Sequence, residues 1–339
     1  MTHQITFHPS GKSCPVEANE TVLQATLRAG LSPDYGCSNG NCGQCRATLR
    51  AGEIDQTHHH DHALSAADKA TGAFLMCSYR ALGDIEIEAD LTQGPEDIPT
   101  QQIDTKVKAI EHLDPQVINL HLQTPRSQRL RFISGQSVTL ETADGAQTRI
   151  AIASCPCDDR NLYFHIPDIP GDPFSEAVFS GTLKTRSAVR LTGPVADAFY
   201  LDQSDTRPSI ILSWHTGFAP IISLMEHALS LEVERPIHLY RFSPTPSHQY
   251  LPHLCRSWAD AFDNIDAQMM PDRLTLLSEA RDCASVFTPI ADSFPDIAHH
   301  NIYVAGPPNF VEAAHSVFGA RGVPPAQLKT HTDWAGVLD

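Results

Sequence analysis

Apolar positions change their period twice along the chain. Up to about residue 90 short alternating runs predominate: Ile5-Thr-Phe7, Cys14-Pro-Val16 after a Gly11-Lys12 turn, Cys45-Arg-Ala-Thr-Leu49, Phe74-Leu-Met-Cys77 and Gly83-Asp-Ile85-Glu-Ile87-Glu88. The last is expected as an edge strand. Thr21 through Ala29 carries Val22, Ala25, Leu27 and Ala29 on one side and leaves through Gly30, which predicts a short helix, and Ala63 to Lys69 predicts a second helical segment. A small mixed sheet crossed by a helix accounts for these pieces. Residues 92–103 are polar, contain Pro95 and Pro99 and have no period, which reads as a linker.

Six short runs follow: Lys106–Ile110, Val117–Leu122, Ser137–Leu140, Gln147–Ala153, Leu162–Ile166 and Ala188–Leu191, separated by Pro, Gly and Asp turns. Many short strands with few helices predict a small antiparallel barrel. From residue 204 the pattern becomes apolar strand, turn, helix: Ser209–Ser213 before Ile221–Leu231, Ile237–Tyr240 before His253–Phe262, and Asn301–Ala305 before Phe310–Phe318. That alternation predicts a parallel sheet with a ligand at the carboxyl ends of its strands. No G-x-G-x-x-G occurs, so the common dinucleotide fingerprint is absent.

At 339 residues the chain is too long for one ordinary core. Its net charge of −16 disfavours nucleic acid and anionic membrane as partners and favours a basic docking surface on a protein. The start Met1-Thr-His-Gln4 lacks the charged and apolar regions of a signal peptide, and no apolar run is long enough to span a bilayer; a cytoplasmic location is expected.

The nine cysteines are too sparse for a disulfide scaffold. Cys37-Ser-Asn-Gly-Asn-Cys42-Gly-Gln-Cys45 has the spacing C-x4-C-x2-C, and Cys77 supplies a distant fourth thiol, the plant-type arrangement for one [2Fe-2S] cluster. Gly40 and Gly43 let the loop backbone approach the bridging sulfides without a clashing Cβ. The alternative, a zinc knuckle or structural CxxC, draws on two short pairs rather than a long loop and one remote ligand. Cys14, Cys155, Cys157, Cys255 and Cys283 are expected as small buried hydrophobes. His58-His-His60-Asp-His62 is a contiguous run that does not encircle a metal and reads as a solvated loop. Asp55, Asp61, Asp68, Asp84, Glu86, Glu88 and Asp90 are candidates for an acidic docking face.

With these residues in hand, the chain resembles the reductase components of multicomponent bacterial oxygenases, in which a plant-type ferredoxin domain precedes a ferredoxin-NADP-reductase-like module. The resemblance is carried by the four cysteines, by Thr216-Gly217-x-x-Pro220 and by Tyr303-Val-Ala-Gly306-Pro307-Pro308. It implies a multidomain chain of α+β and α/β class. A β-grasp-like [2Fe-2S] ferredoxin domain spans 1–93 and a linker 94–103. An antiparallel β-barrel of FAD-binding type spans 104–203, and a parallel-sheet NAD-binding-type domain spans 204–339. It also implies that NADH, or NADPH, gives a hydride to FAD, which passes electrons singly to the cluster and on to an oxygenase or other redox protein. No general base is then needed. Cys37, Cys42, Cys45 and Cys77 would hold the cluster. Thr216, Gly217 and Pro220 would shape the pyrophosphate turn, Gly306, Pro307 and Pro308 would line the nicotinamide side, and Trp334 would either cover the flavin or anchor a domain interface.

The flavin motif of such proteins, Arg-x-Tyr-Ser, is altered. The corresponding strand reads Thr148-Arg149-Ile150-Ala151-Ile152-Ala153-Ser154, so Ile150 stands for the Tyr, Ala151 for the Ser, and the arginine is displaced by one. Arg149, Ile150, Ala151 and Ile152, with Ser175 of the later diphosphate segment, remain the expected flavin contacts. Trp214 and His215 replace paired glycines before Thr216, and Arg241 is the candidate for reading the adenosine ribose. The competing expectation is an iron-sulfur carrier or scaffold that has lost flavin or nicotinamide. The sequence leaves oligomeric state open.

Overall fold

The computed structural model describes residues 2–57, 60–92, 94–195, 199–202, 205–243, 249–270 and 280–332. Trp334, His58 and His59 lie outside the described residues.

The amino-terminal unit contains β1 (His3–His8), β2 (Ser13–Val16), α1 (Val22–Arg28), β3 (Arg46–Ala51), β4 (Ile54–Gln56), α2 (Ala66–Ala70), β5 (Ala73–Leu75), β6 (Tyr79–Ala81) and β7 (Ile85–Glu88). Its main sheet has the order β2-β1-β7-β3-β5, and β4 pairs with β6. The helix α1 starts where Thr21 and Gln24 cap each other, Gln24 N donating to Thr21 Oγ1 at 3.2 Å and Thr21 N to Gln24 Oε1 at 2.9 Å. A reciprocal cap between Ser65 and Asp68 starts α2 three residues later than the expected Ala63.

β7 is not the expected edge strand. It lies in the middle of the sheet, parallel to β1 and antiparallel to β3. Ile85 and Ile87 are buried while Glu86 and Glu88 are exposed. Alternation reports which face of a strand is covered, not whether both edges are paired.

The second unit contains β8 (Gln101–Asp114), β9 (Val117–Gln123), β10 (Ser137–Thr142), β11 (Gln147–Ala151), β12 (Asn161–Pro167), α3 (Pro173–Phe179) and β13 (Ala188–Gly193). The antiparallel order is β11-β10-β13-β8-β9-β12, and Ala153 N donates to Tyr163 O at 2.8 Å where the two outer strands approach. β8 begins inside the expected linker: Gln101, Gln102 and Ile103 pair with Gly193, Thr192 and Leu191, and Ile103 is fully buried. The unexpected helix α3 is capped by Asp172, which accepts from Ser175 N at 2.7 Å, and plugs the barrel with Phe174 and Val178.

The third unit contains β14 (Ser209–Trp214), α4 (Phe218–Ser230), β15 (Ile237–Phe242), α5 (Pro252–Ala261), β16 (Ile265–Met270), α6 (Ala280–Asp292), β17 (Asn301–Gly306), α7 (Pro308–Gly319) and β18 (Leu328–Thr332). Its five strands are parallel in the order β16-β15-β14-β17-β18. One apolar cluster, with Phe287, Phe310 and Phe318, covers one face, and another, with Phe218, Met225 and Trp258, covers the other. The order reverses between β14 and β17, which opens a crevice at their carboxyl ends.

Ser223 on α4 joins the second and third units, donating to Ser154 O at 2.7 Å and accepting from Gly135 N at 3.3 Å. Cys14, Cys255 and Cys283 are buried free thiols, as expected. Cys155 and Cys157 are instead joined by a disulfide: a single intervening residue, Pro156, keeps their sulfurs within reach.

Candidate functional site

The four cysteines gather as two pairs. Cys37 N donates to Cys42 Sγ and Cys42 N to Cys37 Sγ, both at 3.3 Å, while Cys45 and Cys77 Sγ stand 3.2 Å apart. Among the described residues no group of three or more ligating side chains converges on a single mononuclear ion. Two thiol pairs fit a two-iron cluster, one pair to each iron, and do not fit a closed tetrahedral zinc site.

In each pair hydrogen bonds favour the charged form of one sulfur, Cys37 in the first and Cys77 in the second. Burial alone pushes the Cys37 thiol up, but donation from the amides of Asn39, Cys42 and Asn41 holds it below its ordinary value. In the second pair Cys45 donates to Cys77, which is drawn down to about 7, with the Ser78 hydroxyl and the Gly40 amide helping, while Cys45 goes up. Gly40 is indispensable to this geometry. Its φ is +85°, and a Cβ there would stand 1.6 Å from His60 O. His60 thus serves the loop through its carbonyl, which also accepts from Ser78 Oγ at 2.6 Å.

Four of the seven residues of the expected acidic face pair with Arg or Lys within the domain, and a fifth meets a histidine. Glu86 meets His8 at 3.0 Å, Glu88 meets Arg50 at 2.8 Å, Asp55 meets Arg80 at 2.6 Å, Asp68 meets Arg46 at 2.7 Å and Asp61 meets Lys69 at 2.8 Å.

A cavity of about 750 Å3 lies where barrel and parallel-sheet unit meet. Arg149, Ile150 and Ala151 of β11, Ser175 of α3 and Thr216 after β14 all line it. Sequence reasoning missed three groups on its wall: Ser137, His165 and the stretch Thr330-His331-Thr332. Arg149 is exposed at its rim with no partner among the described residues. The volume suits a large organic ligand, and a free cation on the wall suits an anionic one.

One expected contact is corrected. Ile152 turns into the barrel core beside Val138 and Leu140, fully buried, because its amide continues the ladder to Gln136 O at 3.0 Å. The Ser175 hydroxyl is committed to its own turn, donating to Pro167 O at 2.8 Å and accepting from Ile169 N at 2.9 Å.

At the strand reversal, Gly217 and Gly306 abut. A Cβ on Gly217 would meet Ala305 O at 2.3 Å and Gly306 N at 3.0 Å. The turn itself is a single 3-10 turn, His215–Gly217, leading into α4, with His215 at φ +45° where a glycine is usual. Trp214 packs in the aromatic core near Phe310, centroids 6.3 Å apart, and so is not available to cover a ring in the crevice. Pro220 is buried in the first turn of α4; Pro307 and Pro308 open α7; none of the three lines the cavity. Arg241 is 1 % exposed, its guanidinium 3.8 Å over the Phe218 ring and 4.7 Å from that of Tyr250. It is thereby withdrawn from any nucleotide phosphate.

The ferredoxin unit docks through its cysteine loop. Arg129 N donates to Gly36 O at 2.7 Å and Asn39 Nδ2 to Arg126 O at 3.1 Å. Arg131, nearly buried, pairs with Asp34 and donates to Thr92 Oγ1 at 3.2 Å.

The fold and the cysteine loop define an oxidoreductase class, a plant-type ferredoxin domain followed by a ferredoxin-NADP-reductase-like module. Residues 5–82 match the 2Fe-2S iron-sulfur cluster binding domain. Along nearly its whole length the chain is similar to reductase components of bacterial oxygenases and to related reductases. It is 28 % identical to the propane 2-monooxygenase reductase component of Gordonia sp. (strain TY-5), covering 96 % of each chain. It is 27 % identical to the CDP-6-deoxy-L-threo-D-glycero-4-hexulose-3-dehydrase reductase of Yersinia pestis, covering 95 % of this chain and 96 % of that one. The fold is shared with the cytochrome P450 reductase GcoB of Amycolatopsis, with TM-score 0.60, 23 % identity and 98 % of both chains covered. Among the described residues no helix is long and apolar enough to cross a membrane.

Proposed function

We propose that this chain is an NADH-dependent reductase that passes electrons through FAD and a [2Fe-2S] cluster to an oxygenase or a similar protein acceptor in the cytoplasm. The observation that carries this reading is the shared cavity, because residues of β11 and of the turn after β14, far apart in sequence, wall one ligand-sized space. FAD bound there supplies conversion of a two-electron hydride into single electrons.

The protein's own part is positioning. Arg149 offers its cation to a diphosphate, and Ile150 gives an aliphatic floor where an aromatic ring is absent. The reversal at Gly217 and Gly306 leaves a crevice for a nicotinamide nucleotide. Cys37 and Cys42 would hold one iron and Cys45 and Cys77 the other, with Cys42 the most exposed of the four. Docking of the 36–39 loop on the 126–131 loop brings the cluster against the barrel, and exposure at Cys42 gives an external acceptor access. NADH is favoured over NADPH because Arg241 is buried.

The departures at Trp214, His215 and Ala151 favour the second reading, an iron-sulfur carrier without flavin. Iron, sulfide and released flavin are measured on anaerobically purified protein, followed by NADH titration. About two irons, two sulfides and one FAD per chain with bleaching by NADH supports the reductase; cluster without flavin, even after added FAD, overturns it in favour of the carrier.

A further inference from the structure

We propose that Ser137 and His165, on the strands either side of Ala151, form the hydrogen-bonding wall that receives the imide edge of an isoalloxazine ring. This rests on the flavin reading above and deepens it by assigning ring recognition to residues outside the altered motif strand.

Ala151 offers only a methyl group at the cavity, but its neighbours across the sheet do not. Ser137 is its register partner on β10. On the other side Ala153 N donates to Tyr163 O at 2.8 Å, and continuing that antiparallel register by two residues sets His165 across from Ala151. Ser137, Ala151 and His165 all line the cavity.

Each flanking residue carries an open hydrogen-bonding capacity. Ser137 is fully buried, and its Oγ has no hydrogen-bond partner among the described residues. A hydroxyl left so in a folded interior is costly, and a ligand on the cavity side removes the cost. His165 Nδ1 lies 3.1 Å from the Tyr250 hydroxyl, which itself donates to His215 O at 3.3 Å. The phenol oxygen therefore accepts the Nδ1 proton, and Nε2 is left as an acceptor. Burial first, and the nearby Arg241 second, bring the imidazole down to about 3, so the ring stays neutral. One donor and one acceptor match a carbonyl beside an N–H, the pattern of the flavin imide edge. The Ser137 donor, facing the carbonyl that gains negative charge on reduction, favours the reduced ring.

The full chain, stripped of flavin, is titrated with FAD and with FAD methylated at ring N3, read by flavin fluorescence, and the midpoint potential of the bound flavin is measured. Ser137→Ala is expected to weaken FAD about tenfold and move its potential negative, with Ser137→Thr restoring both. His165→Phe is expected to weaken FAD about tenfold and to abolish the roughly tenfold preference of the wild type for FAD over the N3-methyl analogue. Cluster absorbance reports folding of each variant, and if His165→Phe misfolds the Ser137 pair decides alone. Variants equal to wild type in affinity, potential and analogue preference overturn the assignment while leaving the flavin reading intact. A wild type that takes up no FAD overturns both.

Discussion

The amide of Arg129 donates to the carbonyl of Gly36 at 2.7 Å, one residue before the first of the cluster cysteines. The barrel therefore grips the cysteine loop by its backbone, and side chains clasp around this contact.

Arg131 is the main side-chain clasp, pairing with Asp34 and with Thr92 across the same boundary. Asp34 is 65 % exposed, so water screens the pair, and Arg131→Met is expected to weaken the contact by only about 1–2 kcal/mol. Stopped-flow reduction by NADH should show flavin bleaching at the wild-type rate and cluster bleaching slowed several-fold. Equal rates for both chromophores would show that this contact does not position the cluster.

Asp159 gives the boundary a pH dependence. Burial pushes its carboxyl up to about 6, against the lowering effects of Arg129 and of a hydrogen bond from Tyr35. Arg129 Nε stands 3.6 Å away, too far for a hydrogen bond, so desolvation wins. The folded value lies above the unfolded one, near 4. Between these values the folded chain holds a proton that the unfolded chain has lost. The stabilisation is complete below about 4 and disappears as pH rises through about 6. Thermal melts from pH 5 to 7.5 should show the wild type losing stability on the order of 1–2 kcal/mol. Asp159→Asn should show a flatter profile and a higher melting temperature at pH 7.5; a variant with the wild-type slope contradicts this origin.

Gly40→Ala tests the cluster loop. The new Cβ would stand 1.6 Å from His60 O at a φ of +85°, so the loop must move. A loss of at least about 2 kcal/mol and iron content well below two per chain are expected. Gly11→Ala is the control: its φ is +69° but nothing lies within 4 Å, and it should keep full iron.

Nicotinamide preference follows from the burial of Arg241. A 2′-phosphate without a cation forgoes a charge-assisted hydrogen bond of about 1.5–3 kcal/mol, so kcat/KM for NADH should exceed that for NADPH by roughly tenfold or more. Comparable values would mean that another cation reads the phosphate.

Three of the cluster cysteines, Cys37, Cys42 and Cys45, were legible because they are close in sequence and their spacing is itself the chemistry, and Cys77 joined them as the remote fourth thiol of that pattern. The barrel strands and the first strands and helices of the parallel sheet were legible because burial of one or both faces writes a period into the chain. Ile152 was misassigned for a different reason. A motif position says which residue is near the cavity, but the ladder bond of Ile152 and the turn bonds of Ser175 decide where each side chain is used. Arg241 went the same way, taken up by aromatic packing with Phe218 and Tyr250 that no local pattern announces.

The sequence by itself singled out the Cys37, Cys42 and Cys45 loop, the order of the units and the strand-turn-helix alternation of the third, since all of these are local patterns. Only the tertiary structure decided that β7 is central, that Ser137 and His165 flank Ala151, and that residues of β11 share a cavity with Thr216. Those relations depend on which strands pair and which faces meet, and pairing across many residues leaves no mark on the spacing of any one segment.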